Sequence, residues 1–188
     1  AQENGVIVVR LNKSLQPYYK YYREFFKKGG IDAPYWISMG IAMRDWLIKN
    51  KELYSFDLID ASAYGGFAAF LQYPSLPPVV LSGHGAFFQY KRINENPDDD
   101  HSKIVEQLER MAFNNANAFI CHSPQSKADI ENYTTQPVYQ ARIPFLFEER
   151  NSRKSNVTGQ QNKYALVVGS LQKLKGPEVL CEALSGRD

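Results

Sequence analysis

Short apolar runs, separated by longer stretches with helical spacing, recur along the whole chain. The runs are rich in aliphatic and β-branched residues, and we expect each to form a strand: Val6–Leu11, Phe56–Ala61, Val79–Ser82, Ala118–Cys121, Val138–Ala141 and Tyr164–Val168. Several are apolar at successive positions rather than alternate ones. That pattern is typical of strands buried on both faces of a parallel sheet.

Helical patterns occupy the intervals between these runs. The predicted helices are Pro17–Lys28, Tyr35–Asn50, Gly66–Gln72 and Asp99–Asn115, followed by two that begin at Ser123-Pro124 and at Gly176-Pro177. Ser123 is of the type that caps a helix N-terminus. The acidic residues 98–100 suit the positive N-terminal end of the helix Asp99–Asn115. We find no Asn-Gly-type dipeptide between the predicted strands. The alternation therefore predicts an α/β fold, a Rossmann-like doubly wound parallel sheet with helices on both faces.

One polar segment divides the chain. Residues 148–163 carry a single aliphatic side chain and are expected to form a linker. The strand and helix expected within residues 164–188 are too few to bury a core, so we interpret them as the opening of a second domain. Residues 1–147 would form the first domain. We expect it to be incomplete at its start, because the chain does not begin with Met and a strand begins almost at once.

Composition and charge exclude several classes of protein. Hydrophobic residues make up 44% of the 188 residues and charged residues 22%, which is typical of a folded globular chain rather than a disordered one. A net charge of +2 is too small to indicate a nucleic-acid partner. Cys121 and Cys181 lie in apolar runs, as buried thiols do, and they form no metal or disulfide motif. We therefore expect a reducing, cytoplasmic location.

Ligands of parallel α/β sheets bind where the strands end. After the second predicted strand comes Tyr64-Gly65-Gly66, which suits either close approach of a ligand or simply a tight turn. After the third comes Gly83-His84-Gly85, whose imidazole could face a cleft or merely cap the turn.

Two further strand ends carry polar residues. His122 follows the fourth strand, and helix capping is the better interpretation for its neighbour Ser123. After the last strand, Gly169-Ser170 and two lysines precede a helix N-terminus, which indicates a phosphate site or two solvated lysines. The aromatic and basic segment 18–28 fits a membrane-surface helix and a partly packed helix about equally well.

The order of these motifs resembles that of family 4 glycosyltransferases. The resemblance is carried by four segments: Phe56–Gly66, Pro78–Gly85, Glu109-Arg110 with Ala116–Ser123, and Leu166–Gly176. Where this chain has Ala116-Asn117, the family often has a small residue followed by Asp. The resemblance implies the GT-B fold, in which two Rossmann-like domains face each other across a cleft. This chain would contain the acceptor-side domain and only the start of the donor-binding domain.

Specific roles follow from the resemblance alone. His84 matches a catalytic histidine near the transferred sugar, and Tyr64, Gly65, Gly83 and Gly85 would line the substrate site beside it. Gly169, Ser170 and Lys175 match positions that bind the donor diphosphate. Ser170 replaces the usual arginine, which removes one cation from that site. The resemblance implies no bound metal and no cofactor, since the nucleotide sugar is itself a substrate.

The implied activity is retaining transfer of a sugar from a nucleotide-sugar donor to a glycan or lipid-linked acceptor, in polysaccharide or glycoconjugate synthesis. The 188-residue chain would be inactive alone, because most of the donor site would lie beyond Asp188. The main alternative is a non-catalytic α/β module that binds a glycan or a lipid. A dinucleotide-dependent enzyme lacks its glycine motif here, and a receiver domain lacks its acidic cluster. Peripheral membrane contact through segment 18–28 remains open.

Overall fold

The structure is a computed structural model that describes residues 2–3, 6–26, 32–83, 85–94, 98–142 and 177–185. The strands are β1 (Gln2–Glu3), β2 (Val6–Ile7), β3 (Ile59–Ser62), β4 (Val79–Gly83), β5 (Ala118–Cys121) and β6 (Val138–Gln140). The α-helices are α1 (Asn12–Arg23), α2 (Ala33–Asn50), α3 (Phe87–Asn94), α4 (Asp100–Asn115), α5 (Pro124–Glu131) and α6 (Pro177–Ser185), and a 3-10 helix spans Phe67–Phe70.

The main sheet of the described residues has four parallel strands in the order β3-β4-β5-β6. Its register places Ile59 beside Val79, Leu81 beside Phe119, and Phe119 beside Val138. Helical segments connect each strand to the next, as parallel pairing requires. The predicted α/β, Rossmann-like fold class is therefore confirmed.

The core lies against the sheet face that carries alternate residues of each strand. Leu81 and Phe119 are fully buried there, and the Phe113 ring of α4 packs on Phe119 with centroids 4.8 Å apart. Strand β4 is buried at four of its five positions, as expected for an inner strand. Strand β3 alternates instead, and its Asp60 is exposed. Burial on both faces thus holds for β4 and is wrong for β3.

The prediction for the first strand is wrong. Val6–Ile7 pairs antiparallel with Gln2–Glu3 in a separate two-stranded ribbon, and residues 8–11 are not in a strand. The two strands are joined in sequence by Asn4-Gly5, the dipeptide preferred in two-residue hairpins. Strand β1 could not be predicted, because Ala1, Gln2 and Glu3 form no apolar run.

The first helix is also displaced from its predicted range. It spans Asn12–Arg23 rather than Pro17–Lys28, and Pro17 lies inside it. A proline there removes one backbone donor, whose partner would be the carbonyl of Lys13. The helix tolerates this because Lys13 and Pro17 are exposed, so water can satisfy that carbonyl.

Side-chain caps fix the starts of three other helices. Asp32, Asp99 and Ser123 accept hydrogen bonds from the backbone N–H groups of Tyr35 (3.2 Å), Ser102 (2.8 Å) and Ser126 (3.1 Å). The capping role predicted for Ser123 is confirmed, and so is a helix start at Pro177. The predicted Gly66–Gln72 helix is a shorter 3-10 turn. Helix α3 was not predicted.

The two cysteines differ in exposure. Cys121 is buried in β5, whereas Cys181 is exposed on α6, so the burial predicted for Cys181 is wrong. Its helical neighbours at 178, 179, 182 and 183 are exposed too, whereas Leu180 is partly buried.

Contacts along the chain group it into two units, residues 1–142 and residues 143–188. Within the second unit the described residues are those of α6, so the predicted linker 148–163 and strand Tyr164–Val168 lie outside the described residues. Among the helices that the structure describes, none is both long and apolar enough to cross a lipid bilayer.

Candidate functional site

Two loops meet at the carboxyl edge of the sheet. Strands β3 and β4 run parallel in register, and the Ala63 N–H donates to the Ser82 carbonyl at 3.1 Å just beyond the last β3 residue. The loop that carries Tyr64 and Gly65 therefore leaves the sheet beside the one that begins at Gly83. Crevices at such edges are where open α/β sheets bind their ligands.

The first loop turns on two glycines in the left-handed region. Gly65 has φ +83° and Gly66 has φ +71°. A Cβ on Gly65 would overlap the Trp36 ring, and one on Gly66 would lie 2.7 Å from the Glu109 backbone nitrogen. The tight-turn interpretation is therefore sound for both residues. Their substrate role is a separate prediction that these contacts leave open.

In the second loop, Gly83 and Gly85 are both packed against side chains. Gly83 is buried, and a Cβ there would overlap the Ile130 side chain of α5. Gly85 has φ +104° and faces the Tyr90 ring. His84, the predicted catalytic residue between them, lies outside the described residues, so its role stays a prediction.

Aromatic rings line the junction of the two loops. The Tyr64 ring lies 5.5 Å from that of Trp36, 6.2 Å from that of Phe87 and 5.9 Å from that of Tyr90, between centroids. We call Trp36, Tyr64, Phe87 and Tyr90 the aromatic wall. Burial raises the pKa of the Tyr64 hydroxyl, and the nearby Glu109 carboxylate raises it further. That hydroxyl therefore keeps its proton and can donate or accept a hydrogen bond at neutral pH.

A buried carboxylate joins the same two loops. Glu109 of α4 is 0% exposed, and its Oε1 accepts from the Gly65 N–H at 2.8 Å and the Phe87 N–H at 2.6 Å. Its Oε2 accepts from the Phe88 N–H at 3.0 Å. Burial raises the Glu109 pKa to about 7, and these three bonds oppose the rise.

Sequence analysis noted Glu109 only within the family resemblance and assigned it no role. One signal was available, because Glu109 follows Val105 by four residues and precedes Ala112 by three. That spacing places a carboxylate on the buried face of the helix. Buried carboxylates need hydrogen-bond partners, so the pattern indicated donors brought from elsewhere in the fold.

The predicted donor-phosphate residues Gly169, Ser170 and Lys175 lie outside the described residues. The first described element after them in the sequence is α6, which begins at Pro177 and has Glu178 in its first turn. Their assignment to a phosphate site stays a prediction.

Other sequence candidates have structural partners. His122 Nδ1 lies 3.0 Å from the Ala141 carbonyl oxygen. These two residues directly follow the ends of β5 and β6. Asp98 forms an ion pair with Lys91 at 2.6 Å, and Asp99 caps α4. In the part of the chain that the structure describes, no three His, Cys, Asp or Glu side chains are grouped so as to hold a metal ion.

Comparison with known proteins gives one match. The family model described as Glycosyltransferase Family 4 matches residues 6–143, well over half of the chain and the whole region of the two loops. No curated protein and no solved structure matches. The residues matched include β3 to β6 and every member of the aromatic wall. With its parallel sheet and the loops at its carboxyl edge, the chain belongs to Glycosyltransferase Family 4, a family of glycosyl-transferring proteins.

Proposed function

We propose that this chain is the acceptor-side domain of a retaining glycosyltransferase. The donor would be a nucleotide sugar and the acceptor a glycan or a lipid-linked sugar, in the synthesis of a polysaccharide or glycoconjugate. The observation that carries this proposal is the aromatic wall at the junction of two sheet-edge loops, in a chain of this family.

The chemistry of the aromatic wall suits a sugar. A pyranose has apolar C–H faces and hydroxyls around its rim, so it pairs with aromatic rings that also offer hydrogen bonds. Tyr64 and Tyr90 combine ring and hydroxyl. The backbone of Gly65 and Gly85 lies at the same junction, where the Trp36 and Tyr90 rings fill the space that a Cβ on each glycine would need.

The remaining roles follow from the resemblance to the family. His84 would contact the transferred sugar, and Lys175 with Gly169 and Ser170 would bind the donor diphosphate. In the reaction the bond from the anomeric carbon to the diphosphate breaks, and a bond to the acceptor oxygen forms with retention. The acceptor hydroxyl loses its proton in the process. An ammonium group and helix N–H groups stabilise the departing charge.

We also propose that the protein is cytoplasmic and touches a membrane peripherally through α1. The support is that Tyr21 and Phe25 remain 57% and 66% exposed, beside the exposed Lys20. Aromatic rings flanked by cations are suited to the interface of an anionic bilayer.

A binding assay tests the acceptor site in the chain itself. The chain is applied to an array of oligosaccharides and lipid-linked sugars, and affinities for retained sugars are measured by calorimetry. Tyr64→Ala should weaken binding about tenfold, because loss of one ring contact costs roughly 1–1.5 kcal/mol. Tyr73→Ala, an exposed tyrosine outside the aromatic wall, is the matched control and should leave binding unchanged.

The outcomes separate the candidate functions. No retained sugar, or equal loss in both variants, would contradict the acceptor site. We expect the 188-residue chain to transfer no sugar alone, and transfer by it would contradict the assignment of a partial site. In a longer protein, acceptor binding without any nucleotide-sugar binding would favour the non-catalytic module.

A further inference from the structure

The carboxylate of Glu109 bonds to the loop after β3 and to the first turn of α3, which follows the loop after β4. Its two oxygens accept hydrogen bonds from the N–H groups of Gly65, Phe87 and Phe88, at 2.8, 2.6 and 3.0 Å. A carboxylate has about four lone-pair sites, so three donors nearly satisfy it. Hydrogen bonds to a charged acceptor are among the strongest that backbone N–H groups donate.

The three donors come from segments far apart in sequence. Gly65 lies in the loop after β3, whereas Phe87 and Phe88 form the first turn of α3, after the loop that follows β4. The first N–H groups of a helix have no partner within it, so an outside acceptor fixes where that helix begins. Helix α4 is a firm base for this acceptor, because Val105 and Ala112 on the same face are fully buried.

The bonded segments carry the walls of the proposed site. Gly65 follows Tyr64 directly, and Phe87 belongs to the aromatic wall and follows Gly85 by two residues. A shift of either segment would change the distance between the Tyr64 and Tyr90 rings, which are now 5.9 Å apart.

We propose that Glu109 is a positioning residue of the acceptor site: its carboxylate holds the two loops at a fixed spacing, and acceptor binding weakens when that charge is lost. This inference rests on the proposed function for its binding consequence only. Protonation would turn one acceptor oxygen into a donor, so at least one of the three N–H bonds would be lost.

The groups around Glu109 favour a change of charge near neutrality. Burial raises its pKa to about 7, and the Glu106 charge on the same helix adds to the rise. The Tyr64 hydroxyl, on the loop after β3, interacts electrostatically with it. Lys91 of α3 binds Glu106 and Asp98, at 2.8 and 2.6 Å, and so offsets part of that negative charge.

An NMR titration of the chain tests the positioning role directly. The amide resonances of Gly65, Phe87 and Phe88 should shift together with pH, with one shared midpoint near 7. The Val79 amide, which donates to Asn117 at 2.8 Å, should not share that midpoint. Glu109→Gln should abolish the shared titration. Glu106→Gln, the matched control on the same helix, should keep it and lower the midpoint.

Sugar binding provides the second measurement. For oligosaccharides that the wild-type chain retains on the array, Glu109→Gln should weaken affinity at least tenfold, and Glu106→Gln should not. The factor follows because hydrogen bonds to a charged group are stronger than those between neutral groups. Affinity of the wild type should fall as pH drops below the shared midpoint.

Each result has a distinct meaning. Separate midpoints for the three amides, or a shared midpoint that persists in Glu109→Gln, would overturn the positioning role. If Glu109→Gln fails to fold, the wild-type titration still decides between these results. A shared midpoint in a chain that binds no sugar would instead contradict the proposed function. It would still support the contact of Glu109 with the three N–H groups.

Discussion

Asn117 shows how one side chain can secure a strand edge. Its Oδ1 accepts from the Val79 N–H at 2.8 Å, and its own N–H donates to the Val79 carbonyl at 2.9 Å. Val79 is 1% exposed, so no water can replace this partner. The family often has Asp at this position, and either side chain supplies the acceptor oxygen. The residue is thus explained by the buried N–H group it satisfies.

Asn117→Ala should lower the free energy of unfolding by about 1–3 kcal/mol, because it leaves the Val79 N–H buried without an acceptor. Asn117→Asp should restore most of the loss. Urea unfolding provides the measurement, with the midpoint lowered and the slope unchanged. Asn114→Ala, at an exposed helix position, is the control and should stay within about 0.5 kcal/mol of wild type. Equal stability of Asn117→Ala and this control would contradict the role.

At the scale of elements, α1 packs against α2 and is joined to it by hydrogen bonds. The Tyr18 and Tyr19 hydroxyls donate to Asp45 and Asp32 at 2.5 and 2.7 Å. The bond to Asp45 raises the pKa of Tyr18, and the bond to Asp32 that of Tyr19, so both stay protonated donors. No residue of α1 is buried. Within the part of the chain that the structure describes, Tyr21 of α1 and Phe25 just after it are exposed.

Replacing the exposed aromatic pair tests the membrane proposal. The wild-type chain should co-sediment with vesicles of phosphatidylcholine and phosphatidylglycerol, and less with phosphatidylcholine alone. The double variant Tyr21→Ser, Phe25→Ser should reduce binding at least tenfold, since burying each ring contributes about 1.5–3 kcal/mol. Leu53→Ser, at a 72% exposed apolar residue after α2, should have no effect. Absence of binding to the anionic vesicles would remove the proposal.

At the scale of the whole molecule, Glu109 couples stability to pH. Its pKa is about 7 in the folded chain against 4.5 for an ordinary glutamate. Between those values the folded state holds a proton that the unfolded state has lost, so stability falls as pH rises. Asp98 acts in the opposite direction at lower pH, because Lys91 lowers its pKa.

Stability of the wild type should therefore decline by up to roughly 3 kcal/mol between these two pKa values and level off above, since one pKa unit corresponds to about 1.4 kcal/mol. Urea unfolding at a series of pH values measures the decline. Glu109→Gln should flatten that part of the profile, whereas Glu106→Gln should retain it. A profile that rises through this range in wild type, or is identical in Glu109→Gln, would contradict the assignment.

Much of this architecture could be predicted from local patterns. The four parallel strands, the cap at Ser123 and the helix start at Pro177 each depend on a few adjacent residues, so the sequence alone indicated them. The turn at the glycines after β3 was also predicted. The packing of Trp36 against Gly65 was not, because the two residues are 29 positions apart and no local rule links them.

What only the tertiary structure decided are the contacts between distant segments. Strand β1 is not part of an apolar run, so its pairing with β2 could not be predicted, and the start of α3 depends on an acceptor 22 residues further along the chain. The partners of Glu109 arise when α4 packs across two loops at the sheet edge. Short-range spacing predicts strands and helices because the side-chain period of each element follows from its local backbone geometry, whereas a buried charge is satisfied only by groups that folding brings to it.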